Sequence, residues 1–291
     1  MDPAYYFMDR TDCPACSGPL KVLGLRANHR QGLFSGKGLY CAIVRCQHCF
    51  LVFPNPMPVP LQTMRVYDVS PDDYFHHPAG DSDRVATHLL KMTGLDRKEN
   101  LRILEVGSGR GNLAQALFQL GHQVTGLEPS PAFFRKAAEL AGPEFRQETY
   151  EETKVEGQFD LVLFVAVFEH FPDLEKVLSK SFCLLRPGGK MCIVNVPNAF
   201  YWKTRLINFG FKALLRPFVI HCSPLHPPFH FYEFSKKSLA GMLQKAGFKV
   251  ERIWVETGHT YRYSWMYRWA SFWVQKLGHG EIIRTVAIKP E

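Results

Sequence analysis

The sequence predicts an α/β fold: a doubly wound, seven-stranded sheet, mostly parallel with its last strand antiparallel, joined to a small N-terminal cysteine module. Three observations carry this. Leu101–Leu113, LRILEVGSGRGNL, is an apolar run that breaks into glycines and continues as a helical pattern, the first βα unit of such a sheet. Leu161–Val167 is an unbroken apolar run, as a central parallel strand covered on both faces requires. Two CxxC pairs stand ahead of both, at Cys13–Cys16 and Cys46–Cys49.

At 291 residues with 46% hydrophobic content, the chain can hold one sizeable α/β domain and something small. No apolar run approaches the roughly 20 residues that span a bilayer. The start, MDPAYYFMDRTD, lacks a signal peptide's basic and apolar regions, so a cytoplasmic location is expected. Eight cysteines are few for a disulfide scaffold, and their CxxC pairing favours reduced thiols and metal. The net charge of +8 is lopsided: residues 1–175 hold 17 Lys and Arg against 22 Asp and Glu, and residues 176–291 hold 18 against 5. A basic half suits an anionic partner (phosphate-bearing substrate, nucleic acid or lipid headgroup), or serves solubility alone.

From the start of the chain, Cys13, Cys16, Cys46 and Cys49 have the spacing of two knuckles around one tetrahedral Zn²⁺. The gap between them contains turn glycines and a strand-like run, Leu39–Val44, so a long hairpin can bring the pairs together. A closed four-thiolate site is structural, because no position is open to water or substrate. Cys41, His48 and His29 are alternative ligands. Residues 1–56 are thus read as a zinc ribbon. Pro54–Pro60, with four prolines, reads as a stiff connector. It opens a linker or lid segment at 57–80, with a short helix over Leu61–Val69 and a loop over Pro71–Pro78.

Residues 81–291 form the main domain. Asp81–Asp83 can cap a helix running to Leu95. Glycines at 107, 109 and 111 let the backbone turn tightly and approach a ligand. Their spacing is GxGxG; the dinucleotide fingerprint would need glycine where Asn112 stands. Glu128 ends the next apolar run about twenty residues later, where a ribose-binding acid belongs. Ser130 and Pro131 form an N-cap and first-turn pair for the next helix, and Phe145–Gln147 reads as the third strand. Asp173–Leu185 is a helix and Lys190–Val196 a strand. Ser235–Ala246 is a capped helix, and Phe248–Val255 with Glu281–Lys289 are the last two strands. Two insertions interrupt this pattern, at 198–230 and 256–280. In the first, Asn198–Ser223 is read as an amphipathic helix with Arg205, Lys212 and Arg216 on one side and Leu206, Ile207, Phe211 and Leu214 opposite. It suits a membrane surface, a prenyl-phosphate substrate or a lid. In the second, Trp265, Trp269, Phe272 and Trp273 form a stripe suited to core or dimer contact.

Four landmarks in order resemble the class I S-adenosylmethionine (SAM) methyltransferases: the glycine turn, Glu128, FDLVLFVAVFEHF and LLRPGGKMCIVNVPN. The likeness covers roughly Asp81 to Glu291. A ribbon followed by FLVFPNPMP and a Tyr/Asp-rich loop narrows it to the zinc-ribbon SAM methyltransferases of bacterial sugar and polysaccharide pathways. The resemblance implies that SAM lies over Glu105, Gly107, Ser108, Gly109, Gly111 and Asn112, with Glu128, Pro129 and Ser130 beside the ribose. Thr149 and Tyr150 fall near the adenine, although the Asp usual there is absent, and backbone near Val165 meets the cofactor. Tyr67, Tyr74 and Phe75 belong to a lid or dock the ribbon. On the acceptor side, His170 is the first candidate for proton removal, with His230 and Tyr232 second.

The expected activity is methyl transfer from SAM to a small-molecule acceptor: a sugar, nucleotide-sugar or glycolipid, anionic or lipid-linked, with peripheral membrane contact. RNA methylation, with nucleic acid the less favoured partner, and methylation of a prenylated quinone precursor are rival acceptor classes. A SAM-binding scaffold is the non-enzymatic rival.

Overall fold

The computed structural model describes residues 5–27, 40–61, 82–225, 229–257 and 272–291. Seven strands form one sheet: β6 (Arg102–Val106), β7 (Gln123–Leu127), β8 (Glu144–Arg146), β9 (Phe159–Val165), β10 (Leu185–Pro197), β11 (Lys249–Glu256) and β12 (Ile282–Ile288). Their order is β11-β12-β10-β9-β6-β7-β8. β12 runs antiparallel to both neighbours, and β10, β9, β6, β7 and β8 are mutually parallel. The expected antiparallel last strand is therefore present, and the winding of the sheet switches sides at β6: β7 and β8 are added on one side of it, β9 and β10 on the other. That switch opens a crevice beyond the carboxyl ends of β6, β7 and β9.

The unbroken apolar run of β9 is explained by its two covered faces. Leu161 and Leu163 pack with Ile103, Cys192 and Val194 against helices α1 (Ser82–Thr93) and α2 (Asn112–Gln119). Val162 and Phe164 pack on the other side with Leu104, Met191 and Ile193, where α4 (Leu174–Leu184) and α6 (Lys236–Lys245) supply Val177, Leu178, Leu239 and Leu243. Between them in sequence, α3 (Pro131–Ala137) starts at Pro131, and its N-cap Ser130 accepts the Phe133 N–H as the sequence predicts. α6 is closed by a reciprocal capping box between Ser235 and Ser238.

At the N-terminus, β2 (Leu20–Ala27), β3 (Tyr40–Cys46) and β4 (Val52–Pro54) form a three-stranded antiparallel sheet. The expected connector at 54–60 departs from the sequence reading. Met57–Pro60 is strand β5, paired antiparallel with β1 (Tyr5–Met8). A two-stranded ribbon tolerates proline because a strand with one partner leaves half its N–H groups outside the ladder.

The cysteine module shares the core of the main sheet: Cys46, Cys49, Leu51, Phe53 and Met57 belong to the same buried cluster as Phe164, Met191 and Phe234. Val52 and Glu233 exchange backbone hydrogen bonds of 3.0 Å each way, and Ser235 Oγ donates to the Cys49 carbonyl at 2.6 Å. Leu25 N–H donates to Pro217 O and Val219 N–H to Leu25 O, at 2.7 and 3.0 Å.

The first insertion contains α5 (Trp202–Ala213), which buries none of its residues. It does not pack on the crevice, so the lid alternative fails for the described helix. The lid aromatics Tyr67, Tyr74 and Phe75, the helix and loop expected at 61–78 apart from Leu61, and Trp265 and Trp269 lie outside the described residues. Phe272 and Trp273 are exposed.

Candidate active site

The crevice floor is the turn after β6. Gly107 adopts φ +70°, where an added Cβ would also meet Val167 Cγ2 at 2.8 Å. Both the left-handed backbone and the close approach require glycine. The turn is tied to β7: Gly107 and Ser108 N–H donate to Leu127 O at 2.8 and 2.9 Å. Gly109, at φ +56°, faces open space with nothing within 4 Å of its ideal Cβ, so a side chain there would enter the cavity. Gly111 caps α2, and Asn112 is its first residue.

Glu128 follows β7 and is 7% exposed. Its Oε2 accepts the Gly109 N–H at 2.8 Å and its Oε1 the Ser130 N–H at 2.8 Å. These two donors fix the carboxylate and leave each oxygen a second lone pair toward the cavity. Burial raises its pKa, and the two N–H donors partly offset that. Glu105 lies beneath, buried, with Oε2 lacking a hydrogen-bond partner. Desolvation pushes its carboxyl up to about 8, opposed by the Ala114 N–H and reinforced by Glu128.

A cavity of about 640 Å³ rises above this floor, within the range of small-molecule sites. Gly107, Gly109, Glu128, Pro129, Thr149, Tyr150, Val165, His170 and His230 line it, as do Tyr6, Val59 and Pro60 of the β1–β5 pair. Six expected site residues do not line it. Glu105, Ser108, Gly111, Asn112 and Ser130 sit in or under the floor and act through the turn they build. Tyr232 is a correction: it is fully buried, packs on Phe53 and Phe234, and donates its hydroxyl to Pro172 O at 2.9 Å. Its side chain points into the core shared with the cysteine module, and burial raises its pKa.

Opposite the floor, the chain leaving β9 forms a 3₁₀ turn, Phe168–His170. Phe231 N–H donates to Glu169 O at 3.0 Å, which brings residues 229–231 to this turn. The His170 and His230 rings stand 4.9 Å apart, and His230 Nε2 is 3.7 Å from Glu169 Oε1. Glu169 is 2% exposed, and desolvation lifts its carboxyl to about 8. The segment is braced from behind: Glu233 binds His221 Nδ1 with one oxygen and the Cys222 N–H at 2.7 Å with the other.

The four predicted cysteine ligands converge. Cys13 and Cys49 Sγ are 3.5 Å apart, as are Cys16 and Cys46, and all four sulfurs lie within 4.8 Å of one another. Tetrahedral Zn²⁺ with bonds of about 2.3 Å separates its thiolates by just under 4 Å, so the donor set and spacing fit that ion. Cys41 lies apart, with its thiol toward Arg26 O.

Residues 79–253 match a family model described as a methyltransferase domain. The ubiquinone biosynthesis O-methyltransferase of Xanthomonas euvesicatoria is 30% identical over 164 residues, covering 52% of this chain and 64% of that protein. The protein of the same name from Methylobacterium sp. is 38% identical over 95 residues, 31% of this chain and 38% of that one. The chain thus spans less than two thirds of the length of these curated relatives. Among solved structures, magnesium protoporphyrin IX methyltransferase from Synechocystis PCC 6803 shares the fold at TM-score 0.50 and 14% identity, over 78% of this chain and 94% of that one. A Bacillus halodurans C-125 structure, itself assigned to the methyltransferases, does so at TM-score 0.51 and 18% identity, over 71% and 99%.

Proposed function

The chain belongs to the methyltransferase-domain family, and from that premise we propose that it transfers a methyl group from SAM to an oxygen of a small-molecule acceptor. One observation carries the reading: the Gly107–Gly109 turn with Glu128 and the paired imidazoles of His170 and His230 line the same cavity. The floor fits SAM in its donor chemistry. Gly109 leaves a cradle that a Cβ would fill, and Glu128 offers two fixed acceptor oxygens for ribose hydroxyls.

Bound SAM supplies a methyl group on a sulfonium, open to in-line attack. The protein's part is to hold the two reactants, exclude water and handle the acceptor proton. Val165, Val167 and Phe171 wall the space between the floor and the histidines. His170 or His230 takes the acceptor hydroxyl proton near neutral pH. If neither alanine variant shifts the pH–rate profile, proton removal by these imidazoles is wrong.

For the acceptor, the similarity to proteins named ubiquinone biosynthesis O-methyltransferase favours the hydroxyl of a prenylated quinone precursor. The exposed, basic, apolar α5 fits a lipid-linked molecule and peripheral contact with a membrane. A sugar or glycolipid is the second reading, favoured by the ribbon that distinguishes this chain's first 60 residues. Incubation with methyl-labelled SAM and cell extract separates them. Label in a lipid-soluble, aromatic product supports the first, label in a sugar-containing product the second, and label in RNase-sensitive polymer overturns both.

A further inference from the structure

The two imidazoles of the acceptor side are placed by one stretch of backbone, and a single carboxylate holds that stretch. Cys222 and Phe229 both adopt left-handed backbone, each at φ +58°. Residues with side chains keep that conformation only where their surroundings hold it. Glu233 supplies the hold at Cys222: it is 8% exposed, and it accepts the Cys222 N–H with Oε1 at 2.7 Å and binds His221 Nδ1 with Oε2. A carboxylate only accepts, so the His221 Nδ1 carries a hydrogen, and both oxygens of Glu233 are in use. The turn at Cys222 delivers Ser223 to His230. Ser223 N–H donates to His230 O at 3.0 Å, and His230 N–H donates to Ser223 Oγ at 3.2 Å. One residue earlier, Phe229 O lies 3.3 Å from His170 Nδ1. A carbonyl only accepts, so that nitrogen holds the proton and Nε2 is the one left to take another. Glu233 is itself pinned to Val52 of β4 by main-chain bonds of 3.0 Å each way.

We propose that Glu233 is a positioning residue: its carboxylate sets the place of His230 and the tautomer of His170, and carries the constraint of the cysteine module to the point of proton removal. Glu233 does not line the cavity, so it acts through the bonds to Cys222 and His221 and takes no part in the transfer itself. None of those bonds involves the floor from Gly107 to Ser130, so cofactor binding lies outside its reach. The role in proton removal rests on the methyl-transfer reading; the placement of the two rings is independent of it. The carboxylate also explains an otherwise costly choice. A buried acid is tolerated when donors occupy its oxygens, and here the donors are the backbone and the imidazole that must be kept in place.

The test compares Glu233→Ala and Ser223→Ala with the unaltered full chain, zinc-loaded and with its histidine nitrogens isotope-labelled for magnetic resonance. His170→Gln identifies the His170 signal. In the unaltered chain His170 should be protonated at Nδ1, and in Glu233→Ala it should exchange between tautomers. Methyl transfer into a cell extract at saturating labelled SAM should fall about 10- to 100-fold in Glu233→Ala, as misplacement of an aligned group does. In Ser223→Ala, which loses one hydrogen bond, the fall should be about fivefold. That smaller variant keeps the test open if Glu233→Ala does not fold. Glu233→Gln retains an oxygen for the Cys222 N–H, with its amide facing the other tautomer of His221, and should recover most of the rate. The SAM concentration at half-maximal rate, S-adenosylhomocysteine affinity and zinc content should stay as in the unaltered chain. An unmoved His170 signal with an unmoved rate overturns the positioning. So does a joint loss of rate, cofactor affinity and zinc in both alanine variants, which leaves Glu233 a buttress of the fold. No label transferred by the unaltered chain would strike the functional reading, and the His170 signal then decides the positioning by itself.

Discussion

The two sides of the cavity are built by different means. The floor is local in sequence: Gly107 to Ser130 supplies the turn, the carboxylate and the donors that fix it, within 24 residues. The acceptor side joins residues 59 positions apart, His170 and Phe229, and is buttressed by Val52 and Cys49 of the cysteine module. Local geometry is set by backbone conformation and survives distant damage. A wall assembled from three separate segments depends on everything behind it.

Breaking that buttress should have the largest effect. Cys49→Ser removes one of the four converging thiols, and a zinc ion held by such a set would contribute on the order of 10 kcal/mol to folding, as in small zinc modules. Zinc content should fall to near zero and acceptor turnover should be lost, while S-adenosylhomocysteine affinity by calorimetry stays close to normal. Equal loss on both sides would dissolve the contrast. Next comes the floor's own anchor: Glu128→Ala removes paired charge-assisted bonds of about 3 kcal/mol and should weaken S-adenosylhomocysteine about 100-fold. Unchanged affinity would take Glu128 out of the cofactor site.

The pH dependence of the ligand-free protein sharpens the comparison further. Glu105 has a folded pKa of about 8, above its unfolded value, so the folded state holds the extra proton between those values. Stability should fall as pH rises from about 5 to 8. Glu105→Gln should cancel part of that fall, on the order of a few kcal/mol, seen as a thermal midpoint that no longer drops across this window. An identical pH slope in the variant would show that Glu105 is already charged. Smallest is Gly107→Ala, with left-handed strain of about 1–2 kcal/mol plus the Val167 contact. Adding Val167→Ala should restore the contact share of the lost thermal stability and not the strain.

The floor was legible because each residue type there answers a backbone demand: positive φ at Gly107, a cap at Ser130, a carboxylate at a strand's end in Glu128. The succession of strands and helices along the chain followed from the same local units. The acceptor wall was legible only as candidates. His230 could be named, but its meeting with Glu169 depends on the Phe231 N–H to Glu169 O bond, which no periodicity encodes. Tyr232 failed as a candidate because the side chain's direction is set by Phe53, 179 positions earlier. Tyr6, Val59 and Pro60 were missed because prolines in MPVP read as a connector, and nothing near them in sequence reveals that Tyr5–Met8 is their partner.

Helix α5 has a consequence for how the protein behaves in solution. Leu206, Ile207 and Phe209 on it, and Leu214 and Leu215 just after, are 46–92% exposed, beside Lys203, Arg205, Lys212 and Arg216. Such a face is a surfactant with a like-charged fringe: the fringe keeps molecules apart while the apolar atoms attract. Salt shortens the reach of the repulsion to under about 10 Å above 0.1 M and leaves the attraction intact. Colloidal stability should therefore be best in dilute buffer and decline as ionic strength rises, the reverse of a complex held by charge.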